Sequence, residues 1–121
     1  MYCRDLEGMR CFFEKYLGGV SGPAYHNPRT NLRTYFMTFS DGGARLEIMT
    51  RPEVEREGGD HVCAGLSHVS FALGSKAAVD ELTVALSADG FETLSDPRTT
   101  GDGYYESCVR GPEGVLLELT V

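Results

Sequence analysis

Residues 116–120, Leu-Leu-Glu-Leu-Thr, closely match residues 45–49, Arg-Leu-Glu-Ile-Met, and each stretch follows a glycine-containing turn sequence. In both stretches aliphatic side chains alternate with a glutamate, as in a strand that has one face against the core. A carboxylate among aliphatic side chains is unstable unless a cation or hydrogen-bond donors face it. The two stretches therefore predict a module that occurs twice, with Glu47 and Glu118 at equivalent positions.

The stretch from residue 65 to 73, Gly-Leu-Ser-His-Val-Ser-Phe-Ala-Leu, predicts the strand that opens the second module. Alternation places Val69, Phe71 and Leu73 toward the core and His68 on the opposite face, among small residues. A lone histidine in a strand is often structural. Here the two repeat-related glutamates also point away from the core, so the pattern favours a metal ion shared by the histidine and the glutamates.

Two amphipathic helices are predicted, one in each module. Asp5 can cap the first, and apolar residues then recur at helical spacing until Gly18-Gly19, which predicts a helix over residues 6–17. Ser75 and Gly90 bound the second helix in the same way. Strands are predicted at residues 34–39, 44–50, 66–73, 91–94, 104–110 and 115–121. Residues 20–33 and 95–103, which contain Pro and Gly, are predicted as loops.

The order of these elements predicts an α+β fold of two βαβββ modules within a single domain. The first module covers about residues 1–52, a charged linker about 53–64, and the second module about 65–121. When the spacing from His68 to Glu118 is transferred to Glu47, the counterpart of His68 falls ahead of Met1. The first strand of the first module is therefore expected to be truncated in this sequence.

Composition makes several classes of function improbable. The chain has 121 residues, a net charge of −7 and no basic stripe interleaved with aromatic residues, so nucleic acid is not an expected partner. No apolar run approaches the ~18 residues of a membrane helix, and no secretory signal is visible. A cytoplasmic protein that binds a small molecule is expected. Cys3, Cys11, Cys63 and Cys108 form no Cys-x-x-Cys pair and are expected to be reduced, structural thiols.

Short segments throughout the chain carry a resemblance to a known family. They are Arg4-Asp5-Leu6-Glu7, Phe12-Phe13-Glu14-Lys15-Tyr16-Leu17-Gly18, Arg45-Leu46-Glu47-Ile48-Met49, Gly65-Leu66-Ser67-His68-Val69-Ser70-Phe71, Asp102-Gly103-Tyr104-Tyr105-Glu106, Gly111-Pro112-Glu113-Gly114 and Leu117-Glu118-Leu119. In order and spacing they resemble the vicinal oxygen chelate superfamily, the group of glyoxalases, bleomycin-resistance proteins and dioxygenases. The resemblance implies a curved mixed sheet around a cleft that holds a divalent metal. It also implies a homodimer, with modules paired either within one chain or between two.

Position by position, the resemblance makes Glu47, His68 and Glu118 metal ligands, and the fourth ligand is a histidine expected upstream of Met1. Glyoxalase I also has glutamate at the position of Glu47, whereas related acyl-CoA epimerases have glutamine there. Ring-cleaving dioxygenases take two histidines and one glutamate from the other three positions. The implied function is therefore that of a lactoylglutathione lyase-like enzyme, which acts on the hemithioacetal of a 2-oxoaldehyde and a thiol.

In that chemistry the resemblance gives Glu118 the role of main base, with Glu47 as its counterpart. Arg98, Tyr104 and Tyr105 are candidate substrate contacts. The implied cofactor is Ni²⁺ or Zn²⁺, with Co²⁺, Mn²⁺ and Fe²⁺ as further candidates. Two alternatives stay open: a metal-free protein that binds a drug or metabolite, as bleomycin-resistance members do, and an Fe(II) ring-cleaving dioxygenase.

Overall fold

The computed structural model describes residues 1–40, 43–54, 66–101 and 103–121. The chain divides into two compact units, Met1–Glu57 and Gly58–Val121. Each unit has one α-helix packed on a four-stranded sheet. Three parts of the chain lie outside the described residues: Asp41 and Gly42 of the hairpin turn predicted at Asp41-Gly42-Gly43, most of the predicted linker, and Cys63.

The first helix has the predicted bounds, and the second lies between the two predicted boundary residues, Ser75 and Gly90. Helix α1 spans Leu6–Leu17 and helix α2 spans Lys76–Ala88. The side chain of Asp5 accepts a hydrogen bond from the N–H of Gly8, and that of Ser75 accepts one from Ala78. These bonds satisfy N–H groups that have no partner within a helix. Within the described residues, neither helix is long and apolar enough to cross a membrane.

The first unit contains a mixed sheet. Its strands are β1 (Val20–Ser21), β2 (Tyr25–Asn27), β3 (Leu32–Thr38) and β4 (Leu46–Thr50). Strands β1 and β2 pair with successive parts of one edge of β3, and β4 pairs with its other edge. All three pairings are antiparallel. Tyr2 adds a parallel bridge to Met49 of β4. Along the chain, the first module therefore consists of a short segment that pairs in parallel, a helix, and antiparallel strands.

The second unit repeats this plan. Its strands are β5 (Val69–Ala72), β6 (Glu92–Thr99), β7 (Tyr105–Arg110) and β8 (Leu116–Thr120). They lie in the order β5-β8-β7-β6, with β5 parallel to β8 and the other pairs antiparallel. A 3₁₀ helix, Pro112–Gly114, joins β7 to β8. The predicted α+β fold of two βαβββ modules is confirmed.

Two regions predicted as loops contain strands, so those predictions were wrong. Strands β1 and β2 lie within residues 20–33, and β6 continues to Thr99 through the first half of 95–103. Strand β6 is an edge strand whose register with β7 shifts twice, and Pro97 lies in the second irregular segment. Proline has no N–H to donate, which an edge strand with a bulge tolerates, so Pro97 was misleading as a loop signal.

The helix-facing side of each sheet forms the core of its unit. In the first unit the most buried side chains are Met9, Phe13, Met37 and Ile48. In the second unit they are Val79, Leu86, Val109, Leu117 and Leu119. Leu117 and Leu119 thus lie on the core face of their strand, as the alternation of residues 116–120 predicts. By alternation, Glu47 and Glu118 project from the other side of their sheets, which we call the helix-free face.

Candidate functional site

A row of polar side chains crosses the helix-free face of the second sheet. Strand register places Ser70 of β5 opposite Glu118 of β8, Glu118 opposite Cys108 of β7, and Cys108 opposite Ser95 of β6. Residues paired in this way project to the same side of a sheet. The row therefore places a hydroxyl, a carboxylate, a thiol and a second hydroxyl next to one another.

The two oxygens of the Glu118 carboxylate have different neighbours. Ser70 Oγ donates a hydrogen bond of 2.8 Å to Oε1. His68 Nε2 lies 3.4 Å from Oε2. The side chains of Glu118 and His68 are 24% and 44% exposed, so both groups are accessible to a ligand from solvent. The structure thus brings two of the three predicted ligand residues together.

The second ring nitrogen of His68 also has a polar neighbour. Nδ1 lies 3.3 Å from Ser67 Oγ, and the tautomer of the imidazole determines which of the two atoms donates. When Nδ1 carries the proton, Ser67 accepts the hydrogen bond and Nε2 keeps its lone pair. That tautomer is the one in which Nε2 can bind a metal ion.

The spacing of these two atoms fits a shared metal ion. Two ligand atoms that each lie about 2.1 Å from one ion are at most about 4.2 Å apart. His68 Nε2 and Glu118 Oε2 satisfy this limit at 3.4 Å. An imidazole nitrogen with a carboxylate oxygen suits Zn²⁺, Ni²⁺, Co²⁺, Mn²⁺ or Fe²⁺. Within the described ranges no group of three or more His, Cys, Asp and Glu side chains could hold a metal ion, so His68 and Glu118 form a two-ligand pair.

Glu47 occupies the matching place on the helix-free face of the first sheet. It lies opposite Phe36 of β3, and the guanidinium carbon of Arg45 is 5.1 Å from the centroid of the Phe36 ring. Glu47 is half-buried. Its carboxylate makes no hydrogen bond or ion pair with any residue that the structure describes. Glu47 therefore offers a carboxylate beside an aromatic ring, in the unit that does not contain His68 and Glu118.

The two units repeat each other in strand register as well as in element order. Tyr2 pairs in parallel with Met49, as Ala72 pairs in parallel with Thr120. Met49 and Thr120 each stand two residues after the repeat-related glutamate of their own strand. The first sheet therefore has the same parallel edge as the second, formed by residues at the start of the sequence.

This register locates the counterparts of Ser70 and His68 in the first unit. The position opposite Glu47, equivalent to Ser70, immediately precedes Met1. The position equivalent to His68 is the third residue before Met1. The predicted fourth ligand thus corresponds to a position ahead of the given sequence, and it stays a prediction.

Arg98 contributes a positive charge to the same face as Glu118. Its Nη1 donates a 2.5 Å hydrogen bond to Ser95 Oγ, and its Nη2 lies 3.8 Å from Glu106 Oε1. Strand β6 is two strands away from β8. At a spacing of about 4.8 Å between strands, the backbones of Arg98 and Glu118 are on the order of 10 Å apart.

The two tyrosines predicted as substrate contacts lie in different places. Tyr104 is exposed at the turn between β6 and β7. Tyr105 faces α2, where its hydroxyl donates a 2.6 Å hydrogen bond to Asp80 Oδ1 and the Nζ of Lys76 is 4.7 Å from its ring centroid. The bond to Asp80 raises the pKa of Tyr105. Tyr105 is therefore on the opposite side of the sheet from His68 and Glu118.

Cys108 is a free, half-buried thiol beside Glu118. Burial raises the pKa of Cys108, and the carboxylates of Glu118 and Glu106 raise it further. Only the thiolate form of a cysteine acts as a nucleophile or a metal ligand, and a raised pKa reduces the thiolate fraction at neutral pH. Cys108 is therefore a weak candidate for either role. Cys3 and Cys11 form no disulfide with any cysteine that the structure describes.

The sequence pattern places Ser70 on the face of His68 but does not indicate its contact with Glu118. Alternation within residues 65–73 is a local signal, and it was sufficient to assign the face. The contact itself joins residues that are 48 positions apart and depends on the register between two strands. No local pattern specifies that register, so Ser70 could be found as a neighbour of Glu118 only from the structure.

Comparison with known proteins gives a family match over nearly the whole chain. The model of the Glyoxalase/Bleomycin resistance protein/Dioxygenase superfamily matches residues 1–119. An uncharacterised protein of Bacillus subtilis, YqjT, is 28% identical over 123 residues, which cover 98% of this chain and 92% of the Bacillus protein. The resemblance stated from the sequence agrees with the family match.

Solved structures share the fold. A possible glyoxalase from Bacillus cereus is 25% identical with a TM-score of 0.72, and the match covers 100% of this chain and 93% of that one. A glyoxylase/bleomycin resistance protein/dioxygenase domain from Frankia sp. EAN1pec is 18% identical with a TM-score of 0.83, covering 99% and 91%. Glyoxalase I from Zea mays is 17% identical with a TM-score of 0.78, covering 98% of this chain but 41% of the maize protein. The chain thus spans about two fifths of the length of the maize enzyme.

Proposed function

Because this chain belongs to the Glyoxalase/Bleomycin resistance protein/Dioxygenase superfamily, we propose that it is a metal-dependent lyase of the glyoxalase I type. The proposed substrate is the hemithioacetal formed by a 2-oxoaldehyde and a thiol. The observation that supports this proposal best is the approach of His68 Nε2 to Glu118 Oε2 at 3.4 Å on the helix-free face. Glu47, at the repeat-related position, is the proposed third ligand.

In this proposal His68 and Glu118 bind a divalent metal ion, with Ni²⁺ or Zn²⁺ as the first candidates, and Glu47 is a metal ligand by its repeat-related position. When bound, the metal stabilises the negative charge that develops on the adjacent oxygens of the substrate. Members of the superfamily commonly bind divalent metals and small-molecule ligands. They also typically form dimers, and we propose a homodimer for this chain.

The carboxylate of Glu118 performs the proton transfer in the proposed reaction. It removes the proton from the carbon that carries the sulfur and the hydroxyl, and it becomes a carboxylic acid. The same acid then delivers that proton to the neighbouring carbon, which was the ketone carbon. The hydroxyl proton on the sulfur-bearing carbon passes to the oxygen of the former ketone carbon. The product is the thioester of a 2-hydroxy acid, with no net gain or loss of protons and no external oxidant.

Arg98 is the proposed contact for the thiol part of the substrate. Arg98 lies on the same face as Glu118, and their backbones are on the order of 10 Å apart by strand spacing, which a small thiol with a carboxylate can span. The side chain is 53% exposed and is oriented by Ser95 and Glu106. Tyr104 at the adjacent turn is a second candidate, whereas Tyr105 is engaged with Asp80 on the other face.

The proposal is tested with the full-length protein, including any residues encoded upstream of Met1. Metal content is measured by elemental analysis after loading with Ni²⁺, Zn²⁺, Co²⁺ or Mn²⁺. Isomerisation of methylglyoxal hemithioacetals is then assayed with a panel of low-molecular-weight thiols. For Glu118→Gln, kcat is expected to fall by about 10²–10⁴-fold. Glu92→Gln, at an exposed position paired with Arg110, is the matched control and should retain activity.

Two outcomes would overturn the proposal. If the protein binds no divalent metal, the lyase assignment is wrong, and tight binding of a small molecule would then support a bleomycin-resistance-like protein. If Glu118→Gln keeps its metal and full activity, Glu118 is not the base. Oxygen uptake with Fe²⁺ and a catechol would instead identify a ring-cleaving dioxygenase.

A further inference from the structure

We propose that Ser70 is a positioning residue for the candidate metal centre, and that its hydroxyl holds the Glu118 carboxylate with one oxygen directed toward His68. This inference rests on the proposed function, since the role matters only if His68 and Glu118 bind a metal ion.

The backbone fixes Ser70 and Glu118 relative to each other. They are directly paired on the parallel strands β5 and β8, and the pairs on either side, Val69 with Leu117 and Phe71 with Leu119, continue the ladder. The serine side chain is short and has one rotatable bond to its oxygen. Its Oγ therefore occupies a position that the sheet largely determines, 2.8 Å from Glu118 Oε1.

A glutamate side chain is more flexible than a serine, and ordering it costs conformational entropy. The hydrogen bond from Ser70 occupies Oε1, while Oε2 is the oxygen that lies 3.4 Å from His68 Nε2. The Glu118 side chain is thus restrained before a metal ion binds, with one oxygen hydrogen-bonded to Ser70 and the other beside the imidazole. Hydrogen bonds to a ligating carboxylate typically change metal affinity by about 10–100-fold.

If the Ser70 hydroxyl only stabilised the fold, its removal would lower the stability of the metal-free protein. Ser70 is exposed, so removing its hydroxyl leaves no buried polar group unsatisfied. The stability of the metal-free protein is therefore expected to change little in Ser70→Ala. Ser70→Thr keeps a hydroxyl at the same place and has a side chain that strands accept well.

The test uses Co²⁺ alone as the probe and the full-length protein as the sample. Wild-type, Ser70→Ala, Ser70→Thr and the control Ser87→Ala are compared by competition with a chromogenic chelator, by the visible spectrum of bound Co²⁺, and by the Tm of the metal-free form. Ser87 is exposed near the end of α2 and provides the same chemical change away from the site. Ser70→Ala is expected to bind Co²⁺ about tenfold more weakly with an altered spectrum and an unchanged Tm. Ser70→Thr and Ser87→Ala should match wild-type.

Each other outcome overturns a specific statement. If wild-type binds no Co²⁺, both the proposed function and the role of Ser70 are wrong. If wild-type binds Co²⁺ and Ser70→Ala binds it equally well with the same spectrum, only the role of Ser70 is wrong. The role of the hydroxyl is also overturned if Ser70→Thr binds Co²⁺ as weakly as Ser70→Ala does, or if Ser87→Ala shows the same loss of Co²⁺ affinity.

Discussion

Cys108 lies directly opposite Glu118 on the neighbouring antiparallel strands β7 and β8. Burial raises the pKa of the Cys108 thiol, and the carboxylates of Glu118 and Glu106 raise it further. Because the thiolate is the reactive form, Cys108 is expected to react with iodoacetamide only at a higher pH than an ordinary cysteine. Glu118→Gln removes one of the two negative charges, so half-maximal alkylation of Cys108 should occur at a lower pH, although the effect of burial remains.

Mass spectrometry that resolves each cysteine measures this pH profile, with a chelator present to exclude metal ions. The exposed Cys11 is the internal reference, because it lies on α1 in the other unit and its alkylation should not respond to the change at Glu118. An identical Cys108 profile in wild-type and Glu118→Gln would show that the carboxylate does not influence the thiol.

A pair of buried hydroxyls joins α2 to β7 in the core of the second unit. Thr83 Oγ1 donates its single proton to the carbonyl of Val79 at 2.6 Å, so Ser107 is the donor in the 2.6 Å contact between Thr83 Oγ1 and Ser107 Oγ. Thr83→Val leaves the buried Ser107 hydroxyl without this acceptor, whereas Ser107→Ala leaves Thr83 bonded to Val79. Thr83→Val is therefore expected to lower the free energy of unfolding by about 1–3 kcal/mol, and Ser107→Ala by about 1 kcal/mol or less.

Urea unfolding of the two single variants and of the Thr83→Val/Ser107→Ala double variant measures this asymmetry. The free energy of unfolding of the double variant should fall by less than the sum of the decreases in the two single variants, since no hydroxyl is then left unsatisfied. Equal single losses that add without coupling would contradict the assigned direction of the hydrogen bond.

Tyr35 and Glu7 link β3 to α1 through a 2.8 Å hydrogen bond from the phenol to Oε1. This bond, followed by one from Arg10, lowers the pKa of Glu7 from its ordinary value of 4.5. The stabilisation that accompanies a lowered pKa is fully present above the pKa of the unfolded chain and is lost as the pH falls through the folded value. Tyr35→Phe is therefore expected to be less stable than wild-type at pH 7, with a difference that shrinks in acid.

Urea midpoints at about pH 7 and about pH 3 test this expectation, because these values bracket the titration of a glutamate. The Glu7 side chain is 47% exposed, so solvent screening keeps the difference small. Tyr25→Phe makes the same chemical change at an exposed tyrosine and should show no such pH dependence. A loss in Tyr35→Phe that is equal at both pH values would rule out the bond to the ionised Glu7 as its cause.

The helices and the repeat could be predicted because their signals are local. Asp5 and Ser75 supply the N-caps, and Gly18 ends α1 in the left-handed region at φ 62°. Each of these residues acts within about one turn of its own position, so the residue and the helix end that it determines are adjacent in the sequence.

Strands β1 and β2, the continuation of β6 beyond residue 94, and the contacts of the site could not be predicted in this way. Strand β6 contains Pro97 and two register shifts, and its pairing with β7 outweighs its own loop-like composition. The approach of Ser70 and His68 to Glu118 likewise depends on the pairing of β5 with β8. Register between strands that are distant in the sequence is set by the packing of the whole sheet, which a local pattern does not contain.

The parallel register of Tyr2 with Met49 leads to a prediction for the first unit. Transferred from the second sheet, this register places the residue equivalent to Ser70 immediately before Met1, opposite Glu47, and the equivalent of His68 two residues earlier. A protein in which His-Val-Ser directly precedes Met1 should therefore present an imidazole beside the Glu47 carboxylate. We expect it to bind Co²⁺ at least about tenfold more tightly than a matched protein with Ala-Val-Ser at the same positions.

Chelator competition measures the two affinities, and Glu47→Ala in the His-Val-Ser protein is the decisive control. If the added histidine and Glu47 share one ion, Glu47→Ala removes most of the gain, because the ion then loses one of its ligands. Glu53→Ala, an exposed carboxylate of the same unit beside Arg51, should leave the gain intact. A gain that survives Glu47→Ala would mean that the histidine binds cobalt independently of the sheet, and the register equivalence between the two units would then not extend to their ligand positions.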